Sequence, residues 1–342
     1  MTIHTYPDIA REEQLETPDY PPEIDDACAA IKDACDGWGT DEDKLIKILG
    51  SKTPYERYLI NRRWGELRSK TLRKRIGEEF RDNDLGKLIQ FLAQPLEEAE
   101  CEMIRLACRG AGTNESLLYP IICGRSNEDM QVLKKTYFEK YEKDIAIALD
   151  GELSGDFEKL IFYSLQAAEE EFNEEYHTEE KADEDADAFY EAGQGSWGTD
   201  EGKMFKILVN SPPEYLEMVD AKYSEKYGYT LWKAMEKELT GYAEKAAVFI
   251  FGMKIRPAET VAKLIKSTCA GIGTDELELS CAVVRYQRLL PEVIRVHEDI
   301  FDGKTLEDRI RSETRGKYER LLLEIVRVRE NFDPSDFASM IQ

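Results

Sequence analysis

Gly37-Trp38-Gly39-Thr40-Asp41-Glu42 returns three times along the chain, as Gly110-Ala111-Gly112-Thr113-Asn114-Glu115, Ser196-Trp197-Gly198-Thr199-Asp200-Glu201 and Gly271-Ile272-Gly273-Thr274-Asp275-Glu276. Self-similarity at a long, nearly fixed period is the mark of a repeat architecture. The threonines stand 73, 86 and 75 residues apart, and the surplus of the middle interval coincides with the acidic stretch Glu169 to Asp187. Five, eight and nine residues after each threonine come Leu45/Ile48/Leu49, Leu118/Ile121/Ile122, Met204/Ile207/Leu208 and Leu279/Ala282/Val283. That spacing is the stripe of a helix with one buried face. The threonine ahead of it predicts an N-cap, and the Asp/Asn-Glu pair suits the positive end of the helix dipole. Pro54, Pro212 and Pro213 mark the start of a further helix, and Gly228 and Gly241 break later segments. With no alternating β pattern, each repeat reads as about five short helices and the fold class as all-α.

Working outward, the predicted organisation is a tail over 1–22, repeats over 23–93 and 94–166, an acidic linker over 167–184, repeats over 185–254 and 255–329, and a tail over 330–342. The acidic linker is expected to join two halves as a solvated charge run. The two tails are expected to be irregular, and the N-terminal one is where protein partners would bind. The 342 residues carry a formal charge of −24, which sets the chain against nucleic acid and against an anionic membrane unless a cation bridges the contact. The hydrophobic share of 42% rules out wholesale disorder. The start has no apolar core for a signal peptide, and the longest apolar run, Ala246 to Ile255, is short of the ~18 residues of a membrane span. Seven cysteines then read as reduced thiols in a cytoplasmic protein.

Thirty-nine residues after each threonine stands a glutamate: Glu79, Glu152, Glu238 and Glu313. Four such coincidences argue for a spatial pairing of loop and carboxylate. Alternating glycines let the backbone turn with positive φ and point carbonyls to one side, where they can serve as hard oxygen ligands. A glutamate from a distant loop adds two oxygens and charge. Ca2+ takes ~6–8 oxygens in loose geometry, which leaves places for water or a phosphate oxygen, whereas Mg2+ fits less well. Dinucleotide-binding and P-loop glycine patterns fail on spacing, and Asp150 to Ile161 lacks the closing glutamate of an EF-hand.

With these motifs in place, the chain resembles the annexins from about Glu23 to Arg329. The resemblance implies a curved all-α disc of four five-helix domains that holds Ca2+ on one face and docks it on phosphatidylserine-type headgroups. It implies as ligands Cys35, Gly37 and Gly39 with Glu79; Cys108, Gly110 and Gly112 with Glu152; Gly193, Ser196 and Gly198 with Glu238; and Cys269, Gly271 and Gly273 with Glu313. Two departures stand out. A basic residue commonly precedes the first loop glycine, yet only Arg109 does so here, with Asp36 and Ala270 in the first and fourth repeats. One extra residue after Glu79 sets the first carboxylate apart. Retention of all four pairs implies strong calcium dependence.

Trp38 and Trp197, with Ala111 and Ile272 in the same slot, are the expected membrane contacts, because an indole sits well at the headgroup level. Trp64 and Trp232 fall in helical patterns and are expected to be buried. The cysteines are expected to be buried thiols, with neither zinc spacing nor a local feature that would activate Cys35 or Cys108. His4, His177 and His297 suggest no triad, so the chain reads as a non-enzyme. The leading function is a peripheral, calcium-dependent phospholipid-binding protein. A calcium-independent helical scaffold for protein partners is the alternative, and a lipid hydrolase or peroxidase comes third. Self-association on the membrane stays open.

Overall fold

The structure, a computed structural model, describes residues 3–11, 19–36, 39–110, 112–193, 201–270 and 273–328. Among the described residues there is no strand, and after a short helix at Asp8–Arg11 the α-helices fall into four sets of five. The first set is Pro22–Cys35, Glu42–Gly50, Pro54–Leu67, Leu72–Glu79 and Asp84–Leu92. The second is Leu96–Ala107, Glu115–Ile122, Asn127–Tyr141, Ile145–Leu149 and Gly155–Leu165. Glu179–Gly193, Glu201–Asn210, Pro213–Tyr227, Leu231–Glu238 and Gly241–Ile255 make the third, and Pro257–Thr268, Glu276–Arg285, Leu290–Ile300, Leu306–Glu313 and Gly316–Arg327 the fourth.

Local chemistry sets these boundaries. Thr53 and Glu56 form a reciprocal capping box ahead of Pro54, and Gly228 closes its helix in the left-handed region at φ 79°. The helix after each described loop is capped by the residue following the threonine, which corrects the expectation for the threonine itself. Asp41 accepts from the Lys44 amide at 2.9 Å, Asn114 from Leu117 at 3.0 Å and Asp275 from Glu278 at 2.8 Å. A carboxylate or amide oxygen meets the orphan amides of the first turn, and the threonine hydroxyl is released for another partner.

The chain divides into two compact units, one built on Ile104–Thr260 and the other on Thr5–Met103 with Val261 onward. Repeats II and III thus share a unit, as do I and IV. Each unit is built the same way, with the second helix of each repeat packed on the last helix of the other. Glu42–Gly50 meets Gly316–Arg327 and Glu276–Arg285 meets Asp84–Leu92; Glu115–Ile122 meets Gly241–Ile255 and Glu201–Asn210 meets Gly155–Leu165. The apolar stripes make these contacts. Leu45, Leu49, Leu118, Ile121, Ile122, Met204, Leu208, Leu279, Ala282 and Val283 are buried, the larger side chains each contributing about 1.5–3 kcal/mol. Ile48 and Ile207 are half-buried. At Gly50 the backbones come so close that a Cβ would lie 2.8 Å from Glu324 Cβ.

Three expectations are corrected here. The acidic stretch lies inside one unit rather than between two, and although most of its carboxylates, Glu170, Glu171, Glu174 and Glu175 among them, are exposed as expected, Glu169 is tied down. The Lys254 ammonium, fully buried, sits 2.9 Å from Glu169 Oε2 and donates to the carbonyls of Val209 and Ser211 at 2.7 and 2.6 Å. Burial pushes its pKa down and Glu169 opposes that. The helix Glu179–Gly193 begins within the stretch, with Ala182, Ala186 and Phe189 buried, so a boundary at 184 would cut it. In the N-terminal tail, Ile3, Tyr6 and Ile9 are buried, and the Tyr6 hydroxyl donates to Glu100, itself paired with Arg285. Trp64 is buried with its Nε1 donating to the Lys70 carbonyl, but Trp232 is half-buried, its Nε1 on Glu236.

Candidate calcium loops

Each loop starts where a repeat's first helix ends. A backbone bond closes it: Asp41 N to the Ala34 carbonyl at 2.9 Å, Asn114 N to Ala107 at 2.7 Å, and Asp275 N to Thr268 at 2.9 Å. Between these closures the chain turns through positive φ at Gly39 (89°), Gly110 (118°), Gly112 (99°) and Gly273 (100°). Only glycine adopts these values without strain. Among the described residues, apart from each glycine's own chain neighbours, nothing lies within 4 Å of where a Cβ would stand at any of the four, so this face of the loops is open to a ligand.

In the three described loops, those of repeats I, II and IV, the released threonine hydroxyl reaches the glutamate thirty-nine residues on. Thr113 Oγ1 donates to the Glu152 carbonyl at 2.9 Å and reaches its Oε2 at 3.4 Å, and Thr274 Oγ1 donates to the Glu313 carbonyl at 3.2 Å. In repeat III, whose loop lies outside the described residues, Glu238 lies against the end of the first helix, since a Cβ on Gly193 would lie 2.8 Å from Glu238 Cγ. In repeats II and IV the offset of thirty-nine thus has a structural meaning: the hydroxyl seats the backbone of the distant residue beside the loop.

Repeat I differs. Thr40 Oγ1 donates to Glu79 Oε2, a carboxylate oxygen rather than the backbone. Arg75, one helical turn earlier, sets Nη1 2.6 Å from Glu79 Oε1 and donates through Nη2 to the Cys35 carbonyl, with Asp36 at 3.6 Å. Asp36 is also held by Lys32 at 2.6 Å, which lowers its pKa. Both carboxylate oxygens and the first loop carbonyl are thus committed to a guanidinium and a hydroxyl. Sequence reasoning missed Arg75, although its place four residues before Glu79 on one helix face is the standard signal for an ion pair.

The loop cysteines are close enough to feel these carboxylates. Burial pushes the thiols of Cys35 and Cys108 up to about 11 and raises that of Cys269, and Glu79, Glu152 and Glu313 respectively add to the effect. Their sulfurs stay protonated, so their carbonyls are the groups a hard cation could use. Gly37, Trp38, Ala111, Ser196, Trp197, Gly198, Gly271 and Ile272 lie outside the described residues. Among the described residues no three His, Cys, Asp or Glu side chains cluster as a metal site. On this donor chemistry, repeats II and IV fit a calcium ion, and repeat I, with its oxygens engaged, does not.

The family model for Annexin matches residues 25–90, 99–164 and 184–250. Annexin A13 of Mus musculus is 30% identical over 287 residues, covering 83% of this chain and 88% of that protein. Annexin A7 of Dictyostelium discoideum is 29% identical over 279 residues, 81% of this chain and 60% of that protein's length. Among solved structures, annexin III superposes with a TM-score of 0.82 at 27% identity over 95% of this chain and 98% of that one. Chicken annexin V gives 0.79 at 26% identity, over 91% and 98%. Annexins are known for calcium-dependent phospholipid binding, as peripheral and generally non-enzymatic membrane scaffolds. With its four-times-repeated five-helix unit, its glycine loops and these matches, the chain belongs to the annexin family.

Proposed function

We propose that this annexin binds anionic phospholipid surfaces through calcium held at repeats II, III and IV. The carbonyls of Cys108, Gly110 and Gly112 with Glu152, those of Gly193, Ser196 and Gly198 with Glu238, and those of Cys269, Gly271 and Gly273 with Glu313 are the residues that would hold it. When bound, the ion supplies a bridge to a headgroup phosphate oxygen. The observation that carries the reading is the threonine tie, which seats Glu152 and Glu313 beside loops whose glycines leave one face open.

Charge supports a local action. Three divalent ions add six charges to a chain at −24 and leave −18, so they act at the contact and not by neutralising the molecule. Exposed charges more than ~8 Å away are screened at physiological salt. Trp38, Ala111, Trp197 and Ile272, at the loop tips by sequence, are the proposed membrane contacts, with the indoles at headgroup level. All seven cysteines are free, which suits the cytoplasm, and among the described residues no helix is long and apolar enough to cross a membrane. Co-sedimentation with phosphatidylserine vesicles tests this: the protein stays in the supernatant with chelator and pellets with calcium. Equal pelleting in both would instead favour the calcium-independent scaffold.

A further inference from the structure

We infer that Arg75 is a built-in counter-cation that closes the first loop to calcium, so that repeat I is held shut by its own side chain while the other repeats respond to the ion. The inference rests on the proposed function for the contrast between repeats, but its geometry stands on repeat I alone. Arg75 lies four residues before Glu79 on the helix Leu72–Glu79, so one turn of helix carries the cation to the carboxylate without any loop having to move. Its fork spans the site, with Nη1 on Glu79 Oε1 and Nη2 on the Cys35 carbonyl, two of the oxygens a calcium ion would take. Thr40 holds the remaining carboxylate oxygen. The Glu79 side chain is only 14% exposed, and Asp36 at 3.6 Å and Glu78 at 3.7 Å add negative charge around the guanidinium. A divalent ion would have to displace a tethered cation whose planar donors match these oxygens, and would meet its charge while doing so.

The other repeats show what this position does when it does not intervene. Four residues before the glutamate, repeats II and III carry Ala148 and Ala234, which have no charge to offer. Repeat IV carries Arg309, and that arginine is turned away: its Nε donates to His297 Nε2 at 2.8 Å and its guanidinium lies 4.9 Å from the centre of the Phe301 ring. The identity of the residue and the partner it finds both matter, and among the described residues the two combine to occupy the loop in repeat I alone.

The test is a count of bound calcium on the full chain, by equilibrium dialysis without lipid. The natural protein is expected to bind three ions, and Arg75→Ala, which copies repeats II and III, one more. Adding Glu79→Gln to Arg75→Ala is expected to remove the extra ion. Arg75→Met repeats the measurement with the aliphatic packing kept, and helical content by circular dichroism shows that each variant is folded. Four ions on the natural protein would overturn the inference, as would folded Arg75→Ala and Arg75→Met proteins that gain none. A natural protein that binds no calcium at all would sink the proposed function, while a gain of one ion on removing Arg75 would still uphold the inference.

Discussion

Repeats I and IV share one compact unit and carry the same run ahead of their distant glutamates, Lys70-Thr71-Leu72-x-x-Arg75-Ile76 and Lys304-Thr305-Leu306-x-x-Arg309-Ile310. Thr71 and Thr305 cap the two helices alike, accepting from Lys74 and Asp308 amides, and Ile76 and Ile310 are buried alike. The arginines nevertheless go opposite ways. In repeat IV, neutral His297 accepts a hydrogen bond from Arg309 at Nε2 because its other nitrogen, Nδ1, donates to the Lys304 carbonyl at 2.8 Å, which fixes the tautomer. Sixteen residues before Glu79, where repeat IV has its histidine before Glu313, repeat I has Arg63, which accepts nothing and pairs with Asp25 and Glu66. Arg75 therefore turns to the loop. The fate of one side chain is set by a residue on the preceding helix, and with it the chemistry of the loop.

The comparison breaks most visibly if His297 is removed. His297→Leu takes the acceptor from a buried guanidinium and is expected to lower stability by about 1.5–3 kcal/mol, the usual worth of a hydrogen bond to a charged group. Urea unfolding measures this. Arg309, released one turn before Glu313, would then oppose the ion at repeat IV and reduce the calcium count by one; an unchanged count would mean that position in the helix, not the histidine, decides.

Acid sharpens the same point. Burial pushes His297 below its ordinary value, and the neighbouring Arg309 and Lys304 charges act in the same direction against its hydrogen bond to the Lys304 carbonyl. The folded chain therefore prefers neutral imidazole, and the unfolded chain takes up the proton first as pH falls. This contribution is fully present above the unfolded value of about 6.5 and is lost as pH drops through the lower folded value. Stability should fall on that acid limb in the natural protein and fall less in His297→Gln; parallel curves would remove the histidine from the account. The smallest effect is expected from the threonines. Thr274→Val should cost about 0.5–1.5 kcal/mol and raise the calcium needed at repeat IV, whereas Thr40→Val should cost a similar amount without touching calcium binding.

Much of this was legible in the chain. Four glycine loops and four apolar stripes gave the repeat and the helices, because each rests on local spacing, and the offset of thirty-nine gave the approach of loop and glutamate seen in repeats I, II and IV. What was not legible depended on partners distant in sequence. The cap passed from Thr40, Thr113 and Thr274 to the next residue because each hydroxyl found the distant glutamate. Glu169 was read as solvated because Lys254, which buries with it, lies far along the chain in the helix Gly241–Ile255. Tyr6 was read as part of a loose tail because Glu100 stands far along the chain. Arg75 and Arg309 look identical in sequence and are told apart only by His297.

The most direct test of the central claim is calcium-dependent pelleting with phosphatidylserine vesicles for the natural protein and for the triple variant Glu152→Gln, Glu238→Gln, Glu313→Gln. Glutamine keeps the shape and one carbonyl oxygen but loses the charge and second oxygen that a hard cation favours. The account predicts that the natural protein pellets only with calcium, and that the triple variant, with unchanged helical content, needs about tenfold more or higher, a shift worth about 1.4 kcal/mol. A triple variant that pellets at the same calcium concentration as the natural protein would contradict it, and would leave the offset of thirty-nine residues a feature of the architecture alone.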